Sequence, residues 1–333
     1  MTLPFSRRRF LASAILIVTT ATGLAEDKGN PKRWPSIHRP TGKAKIVLTK
    51  KGQGQTPYIY HTKHFELRSP DALSQRHLQK FATVAESVPR VLAKFPLPLL
   101  GMPEGGRAKV LIFPDEESFV KNGGAYGAAG YYSGRKQAIM LRADTFLQPP
   151  SPASSRLPPK ADYDLLVHEF VHLCMHRDLG YLPTWFSEGV AEYIAAAHTN
   201  DGVYRFDNIT SEIRNRIKAG LPNDKEHIRM PSVKETMQLT SESWREKLEH
   251  GDDADGYRLY ASSLLIVHTL FHGGEKRRAD TRTFLQNLRP RKLLNQKVEL
   301  LIPEKDRDQL QQRISNYWRP RGLRIKFESD SDS

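Results

Sequence analysis

The sequence points to an α+β protein, with a mixed β-sheet layer in the first half of the chain followed by a mostly helical second half. Short runs rich in β-branched and aromatic residues, such as KVLIF at 109–113 and the pair 131–132 and 137–141, are bounded by turn residues and read as strands. Apolar positions at helical spacing dominate after residue 160, most clearly at 165–175 and 256–271. A chain of 333 residues with 38% hydrophobic content has room for roughly two ordinary domains with real cores.

Residues 1–25 read as an export signal, with Arg7, Arg8 and Arg9 ahead of an apolar stretch and small residues before Glu26. The run Ser6-Arg7-Arg8-Arg9-Phe10-Leu11 resembles the twin-arginine (Tat) consensus, departing from it at Ala12, where lysine is common. Periplasmic or extracellular localisation is therefore expected, and no cysteine follows the apolar stretch to carry a lipid. Residues 26–43, with Pro31, Pro35, Pro40, Gly29 and Gly42, read as an extended linker in which nothing packs by pattern.

From 44 to 147 an N-terminal α/β region is expected. Residues 45–48 and 58–67 are strand-like, and 70–94 form an amphipathic helix through Leu73, Leu78, Phe81, Val84, Val88 and Leu92. Residues 109–113 make a buried strand, and a helix opens near Pro114-Asp115. The glycine-rich segment 123–130 lacks the lysine and Ser/Thr of a phosphate-binding loop and runs into a strand, so it reads as a loop leading to a hairpin turned at 133–136. A Pro/Ser linker covers 148–160.

The region 161–275 is helical: Asp162 caps a helix running to about residue 179, Gly180 stops it, and Thr184 caps a second helix to about 197. A third spans 256–271. Residues 276–325 form a basic helical C-terminal region, and 326–333 an acidic tail of disordered composition. There is no internal repeat and, after the leader, no membrane-spanning run.

The net charge is +14, and without Arg7, Arg8 and Arg9 the mature chain keeps 48 basic against 37 acidic residues, a net of +11. The charges are interspersed and no nucleic-acid motif accompanies them, which argues against a nucleic-acid partner. They describe a solubilising basic surface able to contact anionic cell-envelope polymers. Cys174 is the sole cysteine, so no intramolecular disulfide exists.

The chemistry concentrates in HEFVHLCMHRDLGYLPTWFSEGVAEYIA, which begins at His168. His168 and His172 are four apart, which places them on one helical face, close enough to share an ion. Glu169 lies about 100° round the helix, where it can reach a water at an open coordination position without being a ligand. Catalytic zinc takes three protein ligands and leaves a fourth position open. Glu188, fifteen intervening residues after His172, supplies the third if the two helices pack antiparallel, and Glu192 one turn on can accept a ring N–H from a ligating histidine. Cys174 is about 200° from His172 and faces away, as a core thiol. His176 follows by another turn, but the helix is expected to continue through residues 173–175 without the glycine break that would make it a ligand.

The HEFVH motif followed by Trp185-Phe186-Ser187-Glu188-Gly189-Val190-Ala191-Glu192-Tyr193 resembles the gluzincin metallopeptidases, and within them the exported bacterial proteins with a peptidase-MA-like domain. The motifs cover about 35 residues. Ser187 stands where asparagine is common, and no aminopeptidase G-x-M-E-N motif lies upstream, so aminopeptidase specificity does not carry over. The resemblance implies a zincin-like fold, Zn2+ as cofactor, a peptide or protein substrate, Glu169 as general base and a tyrosine or histidine that stabilises the oxyanion. Tyr260 is the candidate for that role, ahead of Tyr257 and His268, and the strand at 130–132 is the candidate edge for a peptide substrate. Two rival readings remain: an exported zinc protein without catalysis, and a metal hydrolase acting on an envelope polymer.

Overall fold

The computed structural model describes residues 35–146, 163–288 and 301–328, apart from the single positions 55, 125, 200, 223 and 225. The signal segment 1–25, the beginning of the linker, the Pro/Ser segment 148–160 and the last five residues of the acidic tail lie outside the described residues.

The chain begins with a two-residue strand, β1 (Ile37–His38), and continues through β2 (Val47–Lys50), β3 (Tyr58–His61) and β4 (Phe65–Ser69), each of these three antiparallel to its neighbour. Helix α1 (Gln75–Lys94) crosses over so that β5 (Ala108–Phe113) lies parallel to β4. After α2 (Glu116–Lys121), whose first turn is capped by Asp115 accepting the Ser118 N–H at 2.8 Å, comes the hairpin β6 (Gly130–Ser133) and β7 (Ala138–Arg142). Strand β7 is parallel to β5, giving the mixed order β2-β3-β4-β5-β7-β6 with β6 at one edge. A short α3 (Ala143–Phe146) follows.

The second half comprises α4 (Tyr163–Cys174), α5 (His176–Leu179), α6 (Thr184–Ala197), β8 (His198–Thr199), β9 (Val203–Arg205), α7 (Ile209–Gly220), β10 (Ile228–Pro231), α8 (Val233–Gln238) and α9 (Ser241–His250). It closes with α10 (Asp253–His272), α11 (Glu275–Leu288), α12 (Arg307–Trp318) and β11 (Ile325–Glu328). The protein is thus mixed α+β, as the sequence indicates. One contiguous apolar core runs from Tyr60 in the sheet to Leu323, so sheet and helices bury their faces against each other.

Helix α1 carries its apolar residues at Leu78, Phe81, Val84, Ala85, Val88, Val91 and Leu92, one stripe at helical spacing, and all are buried. Helices α4 and α6 are apolar on nearly every side and are enclosed accordingly. Phe170 anchors α4 through edge-to-face contacts with Phe65 of the sheet (4.7 Å between ring centroids) and Phe81 of α1 (5.9 Å). Gly189 lets α6 and α10 meet: a Cβ there would sit 2.4 Å from the Ser263 carbonyl oxygen.

The structure departs from the sequence-based expectation at several points: the run 58–67 is two antiparallel strands turned at 62–64, the helix expected from 70 begins at Gln75, the helical region 161–275 also holds the short strands β8, β9 and β10, and Thr184 is the first residue of α6 and not its cap. Within the segment 26–43, Ile37 and His38 pair with Arg205 and Tyr204, and His38 is buried, because a partner over 160 residues away supplies what the local pattern lacks. Residues 325–328 are not the junction of a helical region and a tail; they form β11, parallel to β10. Helix α4 ends at Cys174 instead of running to about 179. The Gly101 N–H donates to the Cys174 carbonyl at 2.7 Å and Arg177 N–H donates to the Gly101 carbonyl at 2.9 Å, so a loop from the first half takes up the helix-end groups. Among the described residues no helix is long and apolar enough to cross a membrane.

Candidate metal centre

Helix α4 presents His168 and His172 one turn apart, with their Nε2 atoms 3.1 Å from each other. Helix α6 brings Glu188 to the same point, its Oε2 3.1 Å from His168 Nε2 and 3.3 Å from His172 Nε2. All three side chains are buried, and this is the one group among the described residues whose ligand atoms converge in this way, all within 4.8 Å of one another.

The donor set fits a metal ion. Two imidazole nitrogens facing each other need a proton or a cation between them, and burying such groups without one is costly. Burial opposes a charged imidazolium at His168, but the hydrogen bonds to Glu188 and Glu192 outweigh it and raise its pKa above the ordinary histidine value. Glu188 is the complement: burial opposes its charge, yet the two histidines hold it below the usual carboxylate range. A cation at the convergence point replaces that proton, and its uptake releases protons.

Glu192 sits one turn beyond Glu188 and accepts the His168 Nδ1–H at 3.0 Å through Oε1. In the neutral ring, that contact keeps the proton on Nδ1 and leaves the lone pair on Nε2, the atom that would meet a metal ion. The other carboxylate oxygen, Oε2, accepts the Arg216 Nε–H from α7 at 2.7 Å. Burial opposes the Glu192 charge, and the Arg216 guanidinium more than compensates, keeping the carboxyl well below its ordinary value. Arg216 is the residue that sequence reasoning misses, since an arginine in an amphipathic, otherwise polar helix looks like a surface residue. Replacing Glu192 with alanine is expected to weaken metal binding at this cluster about 10- to 100-fold, as for other residues that orient a ligating histidine; competition with a chromophoric chelator measures it, and an unchanged affinity would remove this role.

Glu169 is buried beside the histidines but is not one of the converging ligand atoms. Its Oε2 accepts the backbone N–H of Tyr132, on edge strand β6, at 2.6 Å. Burial raises its pKa, and the histidine charges offset this only in part. The Tyr132 hydroxyl is hydrogen-bonded to His176 Nδ1, so this one residue ties β6 to both α4 and α5. His176 stays outside the converging group. The helix does break before it, at Met175, yet the break turns His176 toward Tyr132. Cys174 is fully buried in the core, and burial pushes its thiol pKa up.

Of the three residues considered for the oxyanion, Tyr260 on α10 is the one beside the site. Its ring is edge-on to His168, 6.1 Å between centroids, and to Trp244, 5.6 Å. Burial, then the nearby charges of Glu188, Glu169 and Glu192, keep its hydroxyl protonated. Tyr257 instead donates to the Arg216 carbonyl at 2.8 Å. His268 lies among His272, Tyr317 and Trp318, away from these groups.

No protein-family model matches the chain, and no match to a curated protein was found.

Proposed function

We propose that this protein is an exported zinc metallopeptidase of gluzincin type with a zincin-like fold. His168, His172 and Glu188 hold the ion; two imidazoles and a carboxylate suit zinc, which favours nitrogen donors and a four-coordinate site with one open position. Zinc, when bound, supplies Lewis acidity that makes water a nucleophile near neutral pH. Glu169 takes the proton from the attacking water as its oxygen adds to the peptide carbonyl carbon, and then gives that proton to the amine nitrogen as the C–N bond breaks. Tyr260 donates its hydroxyl proton in a hydrogen bond to the oxyanion. Glu192, steadied by Arg216, holds the His168 ring. The substrate is a peptide that adds as a strand along the open edge of β6.

The observation that carries this reading is Glu169: a buried carboxylate beside the ligand cluster, outside it, with a raised proton affinity and its orientation set by the Tyr132 N–H. A purely structural zinc site closes its fourth position and needs no such group. Export rests on the twin-arginine-like run at the N-terminus, and the basic surface suits contact with anionic envelope polymers. Incubating the purified mature protein with a peptide library, with and without a chelator, tests the proposal. Chelator-sensitive cleavage supports it; bound zinc with a chelator-sensitive melting point and no cleavage means a non-catalytic zinc protein; neither points to a different substrate class.

A further inference from the structure

Away from the metal centre, a cavity of about 130 Å³ opens between the end of α10, the start of α11 and α12, lined by His268, Thr269, His272, Arg277, Arg313 and Tyr317. Its charge is of one sign. Arg277 and Arg313 stand at the rim, the Arg321 guanidinium lies 3.8 Å from the centre of the Tyr317 ring, and no acidic residue lines the cavity. Among the described residues, no carboxylate pairs with any of these three arginines.

His268 lines this cavity with a side chain that is 2% exposed, and neither of its ring nitrogens has a hydrogen-bond partner. Buried polar groups are nearly always satisfied, so this imidazole is an exception, and both of its nitrogens are covered by the surrounding side chains. The ring is fixed in place: it stacks on His272 at 4.6 Å and packs against Trp318 at 5.0 Å and Tyr317 at 5.3 Å. Burial first, and then the nearby His272 and Arg321, hold His268 neutral, so it adds no charge of its own to the cavity wall. His272 is already engaged, its Nε2 hydrogen-bonded to the Tyr193 hydroxyl at 2.8 Å.

His268 and His272 repeat the four-residue spacing of the metal pair, yet a cation is disfavoured here. Two arginines line the cavity, a third lies against the Tyr317 ring, and among the described residues no third metal-binding side chain joins the two histidines. We propose instead that the cavity binds a small oxyanion of phosphate or carboxylate type, held by Arg277 and Arg313. The volume is about ten times what one water needs, which admits an ion of that size. Guanidinium groups match such oxygens with paired, charge-assisted hydrogen bonds.

Calorimetric titration of the purified protein with inorganic phosphate, and in a separate arm with acetate, tests the site. Saturable uptake in one or both arms is expected, the stronger arm identifying the preferred oxyanion. The double variant Arg277→Gln/Arg313→Gln, changed only at the partly open rim, should bind about tenfold more weakly or worse, the loss expected when charge-assisted contacts are removed. Wild-type protein stripped of metal with a chelator should bind as the untreated protein does. No saturable uptake by wild type, uptake unchanged in the rim variant, or uptake lost from the chelator-stripped protein, which would place the ion at the metal centre, each overturns the proposal. Loss of peptide cleavage has no bearing on it.

Discussion

Replacing Glu169 with glutamine is expected to abolish peptide hydrolysis while leaving zinc bound. The amide has the shape of the carboxyl and keeps an oxygen that can accept the Tyr132 N–H, which Glu169 receives at 2.6 Å, so the local packing should survive. What disappears is the capacity to take a proton. General-base catalysis by a positioned side chain contributes about 10²- to 10⁴-fold, and here the same group also returns the proton to the leaving amine, so a loss at the upper end is expected. Burial raises the Glu169 carboxyl above its ordinary pKa, which strengthens it as a base. Because Glu169 is not among the converging ligand atoms, zinc content should match wild type. Turnover that persists in a zinc-loaded Glu169→Gln protein would sink the mechanism.

Glu188→Ala should remove the metal itself, and the effect should be visible in stability as well as activity. The substitution leaves two ligands of three and deletes the oxygen that lies 3.1 Å from His168 and 3.3 Å from His172. It also harms the metal-free state, since a buried histidine pair loses the carboxylate that compensates its charge. A ligand that binds only the folded state stabilises it by about 2.7 kcal/mol at a hundred times its dissociation constant, a shift of several degrees in a melting curve. Added zinc should therefore raise the melting midpoint of wild type and leave that of Glu188→Ala nearly unmoved. An equal zinc-dependent rise in the variant would mean that the third ligand is another group.

The parts of this fold that the sequence discloses are those set by local periodicity. The stripe on α1, the buried α4 and α6, and the hairpin of β6 and β7 follow from spacing that a single segment carries. The grouping of His168, His172 and Glu188 was equally legible, because helical spacing fixes the first two and a short turn returns the chain to the third. What escaped was long-range. Arg216 reaches Glu192 from a different helix, the Tyr132 N–H reaches Glu169 from a strand 37 residues away, and β1 finds β9 over 160 residues further along the chain. The end of α4 is decided by the backbone of Gly101, which no pattern within α4 could reveal. In each case the determining partner lies outside the window in which a pattern can be read.

The most direct test of the central claim is the elemental metal content of the purified wild-type protein after exposure to zinc and removal of loosely held ions. The arrangement of His168, His172 and Glu188 predicts about one tightly held zinc per chain, the stoichiometry of a single three-ligand site. A chain that retains no zinc under those conditions would contradict it.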